Sequence, residues 1–306
     1  MGYQLSVRVG SALIVVLGVC TLVFLLLHLV PGDPVDAMLG ESARPADRAA
    51  LRASLGLDQP LLEQYTRYLV GLARLDLGQS FQDQRPVSAV LAERLPATLQ
   101  LAAAALLLAL VLAIPLGVLA AKHRGGPIDG AAMGFSMLGI SLPNFWLGPL
   151  LILVFSLWLG WTPVSGNDGA VSLVLPAITL GTGLAAVLAR MVRASVLEVL
   201  GEDYIRTARA KGLSEAAVLR RHALRNAWLP VLTLVGLQLG GVLGGAVITE
   251  TVFAWPGVGS LLVESIQSRD YPVVQGCVLL ISVLYVLVNA LTDLAYARVD
   301  PRIRLG

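Results

Sequence analysis

Charge is scarce in this sequence. Only 14% of its 306 residues are Asp, Glu, Lys or Arg, while 56% are hydrophobic, and mean hydropathy is +0.77. A soluble globular domain carries about 25% charged residues, so the composition excludes that class and marks an integral membrane protein. The net charge of +2 is mild and no basic run interleaves with aromatics, so nucleic acid is not an expected partner. Cysteine is almost missing too. Cys20 and Cys277 both fall in apolar stretches, where a thiol behaves as a small hydrophobe, so neither a disulfide framework nor a metal site is indicated. No G-x-x-x-x-G-K-[ST] phosphate loop, H-E-x-x-H zinc motif or G-x-S-x-G elbow occurs, and His28, His123 and His222 are scattered. These gaps argue against a self-contained ATPase or zinc protease. No catalytic, metal-ligating or cofactor-binding residue is expected in this chain.

Long apolar runs fill the space instead. The first, about 9–30, has enough residues to cross a hydrocarbon core of about 30 Å, and no small-residue cleavage site follows it, so it reads as a retained helix. Four more lie at about 97–121, 130–159, 229–253 and 273–296, and a less uniform one at about 176–197, "PAITLGTGLAAVLARMVRASVLEVL". Arg190 and Arg193 intrude near one end of that run, where long side chains reach headgroups. The expected fold is all-α, with six transmembrane helices.

Lys and Arg collect on one side, as cytoplasmic loops do. Lys122 and Arg124 follow the second run. Arg190, Arg193, Arg206, Arg209, Lys211, Arg220, Arg221 and Arg225 follow the fourth, and Arg298, Arg302 and Arg304 end the chain. Both termini are therefore expected in the cytoplasm. The 31–93 segment is expected outside despite its arginines, because a segment of that length translocates largely regardless of charge. Within it, "RPADRAALRASLG" predicts a helix from near Pro45 to Gly56. "LDQPLLEQYTRYLVGLARLDLG" predicts another, with Asp58 as a cap and Gly78 as a stop. This region reads as a cap on the bundle or as a receiver for a partner protein.

A few residues inside the runs invite functional readings. Glu250 and Asp293 are intramembrane acids near span ends, open to a relay role or to plain interfacial contacts. Pro143 and Asn144 interrupt the third run, where a freed carbonyl or the Asn amide could line a path, unless neighbours simply satisfy the kink. Gly236, Gly240 and Gly244, with Gly241 and Gly245, recur at four-residue spacing and allow close packing against a neighbouring span or a second subunit.

The remaining feature is a basic insert, "YIRTARAKGLSEAAVLRRHALRNA", residues 204–227. Its first half has helical spacing closed by Gly212; Ser214 can cap a second helix that runs toward Pro230 at the start of the fifth run. Such a helix-turn-helix could rest on anionic headgroups. It could instead insert a tip of Ala208, Ala210, Gly212 and Leu213 into a groove of a soluble partner.

The insert resembles the loop signature of bacterial ABC importer permeases, in the dipeptide, oligopeptide and nickel family, with Ala208 and Gly212 at its small positions. Arg206 stands where the general signature has Glu, and Pro230 follows at a longer distance than in sugar permeases; both departures resemble the peptide branch. Further matches are "VPGDP" at 30–34, "LGLDQPL" at 55–61, "LDLGQSF" at 75–81, "RLPATLQL" at 94–101, "SLPNFWLG" at 141–148, "FAWPGVG" at 253–259, "RDYPVVQ" at 269–275 and "DPRIR" at 300–304. The resemblance implies a type I importer permease fold in the bacterial inner membrane, with a permease domain over 94–298, a coupling loop at 198–228 and a cytoplasmic tail at 299–306. It implies a second homologous permease, two cytoplasmic ATPases that bind ATP and Mg, and an extracytoplasmic solute-binding protein. Arg206, Thr207, Ala208, Arg209, Ala210, Lys211, Gly212 and Leu213 would form the ATPase-docking helix. Short peptides are the expected substrate, with glutathione or a nickel chelate as alternatives; a proton-coupled carrier acting alone is the rival class.

Overall fold

The computed structural model describes residues 2–29, 32–40 and 43–299. Among them the regular structure is helical, apart from one isolated bridge between Gln79 and Pro86. Helix α1 (Gly2–Leu29) is followed by three short helices, α2 (Pro34–Leu39), α3 (Pro45–Ser54) and α4 (Leu61–Ala73). Asp33 caps α2 by accepting from the Val35 N–H at 2.9 Å. Helix α3 starts on Pro45 and is closed by Gly56 at φ +69°, as its sequence predicts.

The ends of α4 differ from the expectation. Asp58 does not cap it: the chain enters through Pro60, extended at φ −54°, ψ 143°, with no side-chain cap. Proline fixes that φ immediately ahead of the first turn, which leaves Asp58 too far upstream to meet the first N–H groups. Gly78 does not stop it either, because the helix ends at Ala73 and the Gly71 carbonyl accepts from both Arg74 and Asp76 N–H at 2.9 Å.

The chain divides into two units. One comprises Met1–Thr98 and Pro256–Val286. Its core joins Val87, Val90 and Leu91 of α5 (Val87–Lys122) to Val258 and Leu261 of α12 (Val258–Gln267) and to Val273 and Cys277 of α13 (Tyr271–Val299). Here Asp270, 3% exposed, holds the turn after Gly78. Its carboxylate accepts from Ser80 Oγ at 2.5 Å and from the N–H groups of Phe81 and Gln82 at 3.0 and 3.3 Å. Cys20 and Cys277 are both buried and are not joined in a disulfide.

The second unit comprises Leu99–Trp255 and Leu287–Gly306. It holds α6 (Pro127–Ser141), α7 (Asn144–Leu151) with its π-helical continuation Ile152–Trp158, α8 (Val174–Leu200), α9 (Asp203–Ala210), α10 (Glu215–Val218) and α11 (Leu224–Val252). Helix α8 is its centre, packed against α6 and α11. Along it Ala185, Ala186, Leu188 and Ala189 are at most 1% exposed, since small side chains let neighbouring backbones close in.

The third apolar run breaks where Pro143 and Asn144 stand: α6 and α7 meet at 102°. Pro143 drives Leu142 to the extended region, φ −86°, ψ 112°, because the proline ring disfavours helical backbone in the residue before it. Proline 230 behaves otherwise. Helix α10 passes through a π-helical turn, Leu219–Ala223, directly into α11, so Pro230 lies inside a continuous helix, and the apolar stretch of that helix begins at Pro230 as expected.

Three helical stretches are long and apolar enough to cross a membrane: Val87–Lys122, Ala170–Leu200 and Tyr271–Thr292. Two bent pairs, Pro127–Ser141 with Asn144–Trp158 and Pro230–Val242 with Ala246–Val252, raise the count to five if each is one span. The apolar part of α1, Leu13–Leu29, is shorter; a sixth span requires it to cross at the lower end of the usual length range. Helix α5 is 36 residues, about 54 Å at 1.5 Å per residue, and so begins well before the run expected at 97.

Candidate functional site

The 198–228 loop folds into a compact hairpin of helices. In α9, Ile205 is fully buried and Ala208 is 6% exposed, three residues apart and hence on one face. Both pack on Val218 of α10, with Val199, Leu200 and Leu213 around them. The opposite face, Arg206, Thr207, Arg209, Ala210, Lys211 and Gly212, is exposed. Sequence reasoning placed these residues on one short helix tip, and the structure brings them together there.

Gly212 closes α9 by a two-bond C-terminal cap. It sits at φ +80°, a left-handed conformation that glycine reaches without the steric cost of a Cβ. Its N–H donates to the Arg209 carbonyl at 2.9 Å and the Leu213 N–H donates to the Ala208 carbonyl at 3.3 Å. Leu213 then packs against the same small core as Ala208, the hydrophobic contact that accompanies such a cap. Two residues on, Ser214 accepts from the Ala217 N–H at 3.4 Å and starts α10.

Much of the charge here is neutralised within the loop. Arg209 forks onto Glu215 at 2.7 and 3.1 Å, and Arg206 pairs with Asp203 at 2.5 Å. Beside Arg209 the Glu215 carboxyl is held below its ordinary range, and the guanidinium is raised in turn, chiefly by that hydrogen bond. Lys211 makes no ion pair with any described residue.

One anchor ties this hairpin to α11 and a second braces the end of α8 that leads into it, and sequence reasoning missed both. Asn226 of α11 donates through Nδ2 to the Tyr204 hydroxyl and to the His222 carbonyl, each at 2.9 Å. Arg193 of α8 donates through Nε and Nη2 to the two carboxylate oxygens of Asp129 at 2.5 and 2.6 Å, and Asp129 also accepts from the Gly125 N–H at 2.9 Å. The pair ties the α5–α6 turn to α8. Below it, Ala121, Val192, Val196, Ala227 and Val231 form a shared apolar core. No periodicity links residues 22 or 64 positions apart, which is why only the fold reveals these contacts.

The other candidates are dispersed. Pro143 is exposed and Asn144 half-buried at the α6–α7 break. Glu250 is fully buried in α11, and its carbonyl accepts from the Trp255 N–H at 2.8 Å. Asp293 lies in α13 with its side chain outside the described residues. Gly236 meets α13 directly: a Cβ there would fall 2.0 Å from Thr292 Cγ2, so this glycine serves packing against a neighbouring helix of the same chain. Gly240 is buried, Gly241 and Gly244 face open space, and Gly245 is outside the described side chains. The structure does not gather these residues into one site.

Comparison with known proteins identifies the family. Residues 113–305 match the family described as binding-protein-dependent transport system inner membrane component, and residues 1–102 match the corresponding N-terminal family. The dipeptide transport system permease protein DppB of Escherichia coli is 45% identical over 97% of both chains. A di/tripeptide permease of Pseudomonas aeruginosa is 46% identical with the same coverage, and an Escherichia coli glutathione permease, GsiC, is 46% identical over 94% of both. In fold, the chain is similar to the MetNI methionine ABC transporter in an inward-facing conformation, with a TM-score of 0.60 over 70% of this chain and 97% of that one, at 22% identity. A membrane chain matched by both family models along its length, with relatives this similar from end to end, belongs to the family of binding-protein-dependent transport system inner membrane components.

Proposed function

We propose that this chain is one permease subunit of an ABC importer for short peptides. With a second, homologous permease it forms the transmembrane path; two cytoplasmic ATPases bind ATP and Mg, and an extracytoplasmic solute-binding protein delivers the peptide. The observation that carries this reading is near-full-length identity of 45–46% to dipeptide and di/tripeptide permeases. The α9 tip supports the coupling role: a short helix with an exposed face, held rigidly from behind, suits a groove on an ATPase. Closure of the ATPases then reaches α8 and α11 as a rigid-body shift. The orientation proposed is the one that places this basic loop and both termini in the cytoplasm.

Glutathione is the second reading, favoured by the similarity to GsiC at 46% identity. Competition separates the two. Uptake of a labelled dipeptide by cells expressing the whole system should be suppressed by excess unlabelled dipeptide and little affected by glutathione; the reverse pattern assigns glutathione. Reporter fusions after Arg124 and Arg225 should read as cytoplasmic and fusions near Gln79, Asn167 and Arg269 as external, and one inverted position overturns the orientation.

A further inference from the structure

The cations of the 204–227 insert fall into two sets. On α9, Arg206 and Arg209 are neutralised by Asp203 and Glu215. On the approach to α11, Arg220, Arg221 and Arg225 are exposed and make no hydrogen bond or ion pair with any described residue. Desolvating three unpaired guanidiniums against protein would be costly, so this surface is built to meet an anionic, hydrated partner.

Geometry narrows the partner. Arg221, Arg225 and Trp228 recur at spacings of four and three residues, so they share one helix face; the buried Ala223, Ala227 and Val231 mark the other. The π-helical turn Leu219–Ala223 repeats about every 4.4 residues and brings Arg220 toward the register of Arg225. Trp228 is 37% exposed and stands two residues before the apolar stretch that begins at Pro230. At 1.5 Å per residue Arg225 lies about 7 Å and Arg221 about 13 Å along the helix from that boundary. A headgroup layer is some 5–7 Å deep, and arginine stems reach several ångströms back toward it. A tryptophan at the boundary with arginines stacked behind it suits the phosphodiester layer of a bilayer.

We propose that Arg220, Arg221, Arg225 and Trp228 form a binding site for an anionic phospholipid headgroup. The guanidiniums fork onto the phosphate oxygens, and the indole rests against the glycerol and upper acyl region. The lipid would brace the start of α11 directly beside Asn226, which tethers α9 through Tyr204.

Native mass spectrometry of the purified full chain, titrated with phosphatidylglycerol against phosphatidylcholine, tests this. Wild type should retain phosphatidylglycerol preferentially. Arg221→Gln and Arg225→Gln should each weaken that retention about fivefold and their combination about twenty-five-fold, from the usual contribution of a basic residue near an anionic surface. Arg206→Gln, which alters a cation already paired, should leave it unchanged. Equal retention by wild type and the double variant overturns the proposal. Displacement of the lipid by millimolar inorganic phosphate also overturns it, since the site would then serve a free anion. So does loss of ATPase co-purification in the double variant with lipid retention intact, which would assign these arginines to a protein interface. If the double variant does not fold, the two single variants carry the same test.

Discussion

Replacing Gly212 with valine should uncouple the α9 tip without disturbing the membrane helices. The residue sits at φ +80° with no atom within 4 Å of where a Cβ would stand, so the substitution creates no clash and its cost is confined to the backbone. Holding a branched residue in that region costs about 1–3 kcal/mol. The chain can relieve the strain only by giving up the bonds from Gly212 to Arg209 and from Leu213 to Ala208, each worth about 0.5–1.5 kcal/mol. The two costs are similar, so the cap should exchange between strained and frayed forms. The anchor behind it should survive, because burial of Ile205 alone contributes about 1.5–3 kcal/mol. The assay is ATP hydrolysed per peptide transported in the reconstituted complex, read beside ATPase co-purification. Gly212→Val should lower coupling severalfold at normal membrane insertion, and Gly212→Asn, which tolerates positive φ, should stay near wild type. A fully coupled valine variant, or an asparagine variant as defective as valine, would refute the assignment of coupling to this turn.

Other substitutions probe the supports. Asp270→Ala should leave the N–H groups of Phe81 and Gln82 without their acceptor, at about 1–3 kcal/mol each, and expose the 79–86 turn to protease; Asp270→Asn keeps an acceptor oxygen and should cost less. Asp129→Arg and Arg193→Asp should each lower the thermal midpoint, and the double exchange should recover part of the loss, as a pair fixed by geometry requires. The Arg209–Glu215 pair should respond to acid. Because the folded Glu215 carboxyl is depressed, its contribution is fully present above the ordinary carboxylate value and is lost as pH falls from there through the lower folded value. Limited proteolysis of the 209–215 turn should therefore rise below about pH 4 in wild type and be less pH-dependent in Glu215→Gln.

What could be read in advance follows the range of the physics involved. Gly212 and Ser214 announced the turn between α9 and α10 because caps are local, and Pro143 announced the α6–α7 break because the proline ring acts on its immediate neighbour. Asp58 misled because Pro60 fixed the backbone nearer the helix, whereas Pro230 did mark the start of the apolar stretch, although the helix was already under way upstream. Asp270 and Ser80, 190 residues apart, share a site only once α13 and the 79–86 turn are in place. Arg209 looked available to a partner until the fold set Glu215 beside it.

ATP-dependent peptide uptake tests the central claim most directly. Vesicles holding this chain, its second permease and the ATPases, supplied with the binding protein, should accumulate a labelled dipeptide only when Mg-ATP is present and should stop when any one component is omitted. Accumulation by this chain alone under a pH gradient, without ATPases or ATP, would contradict the account.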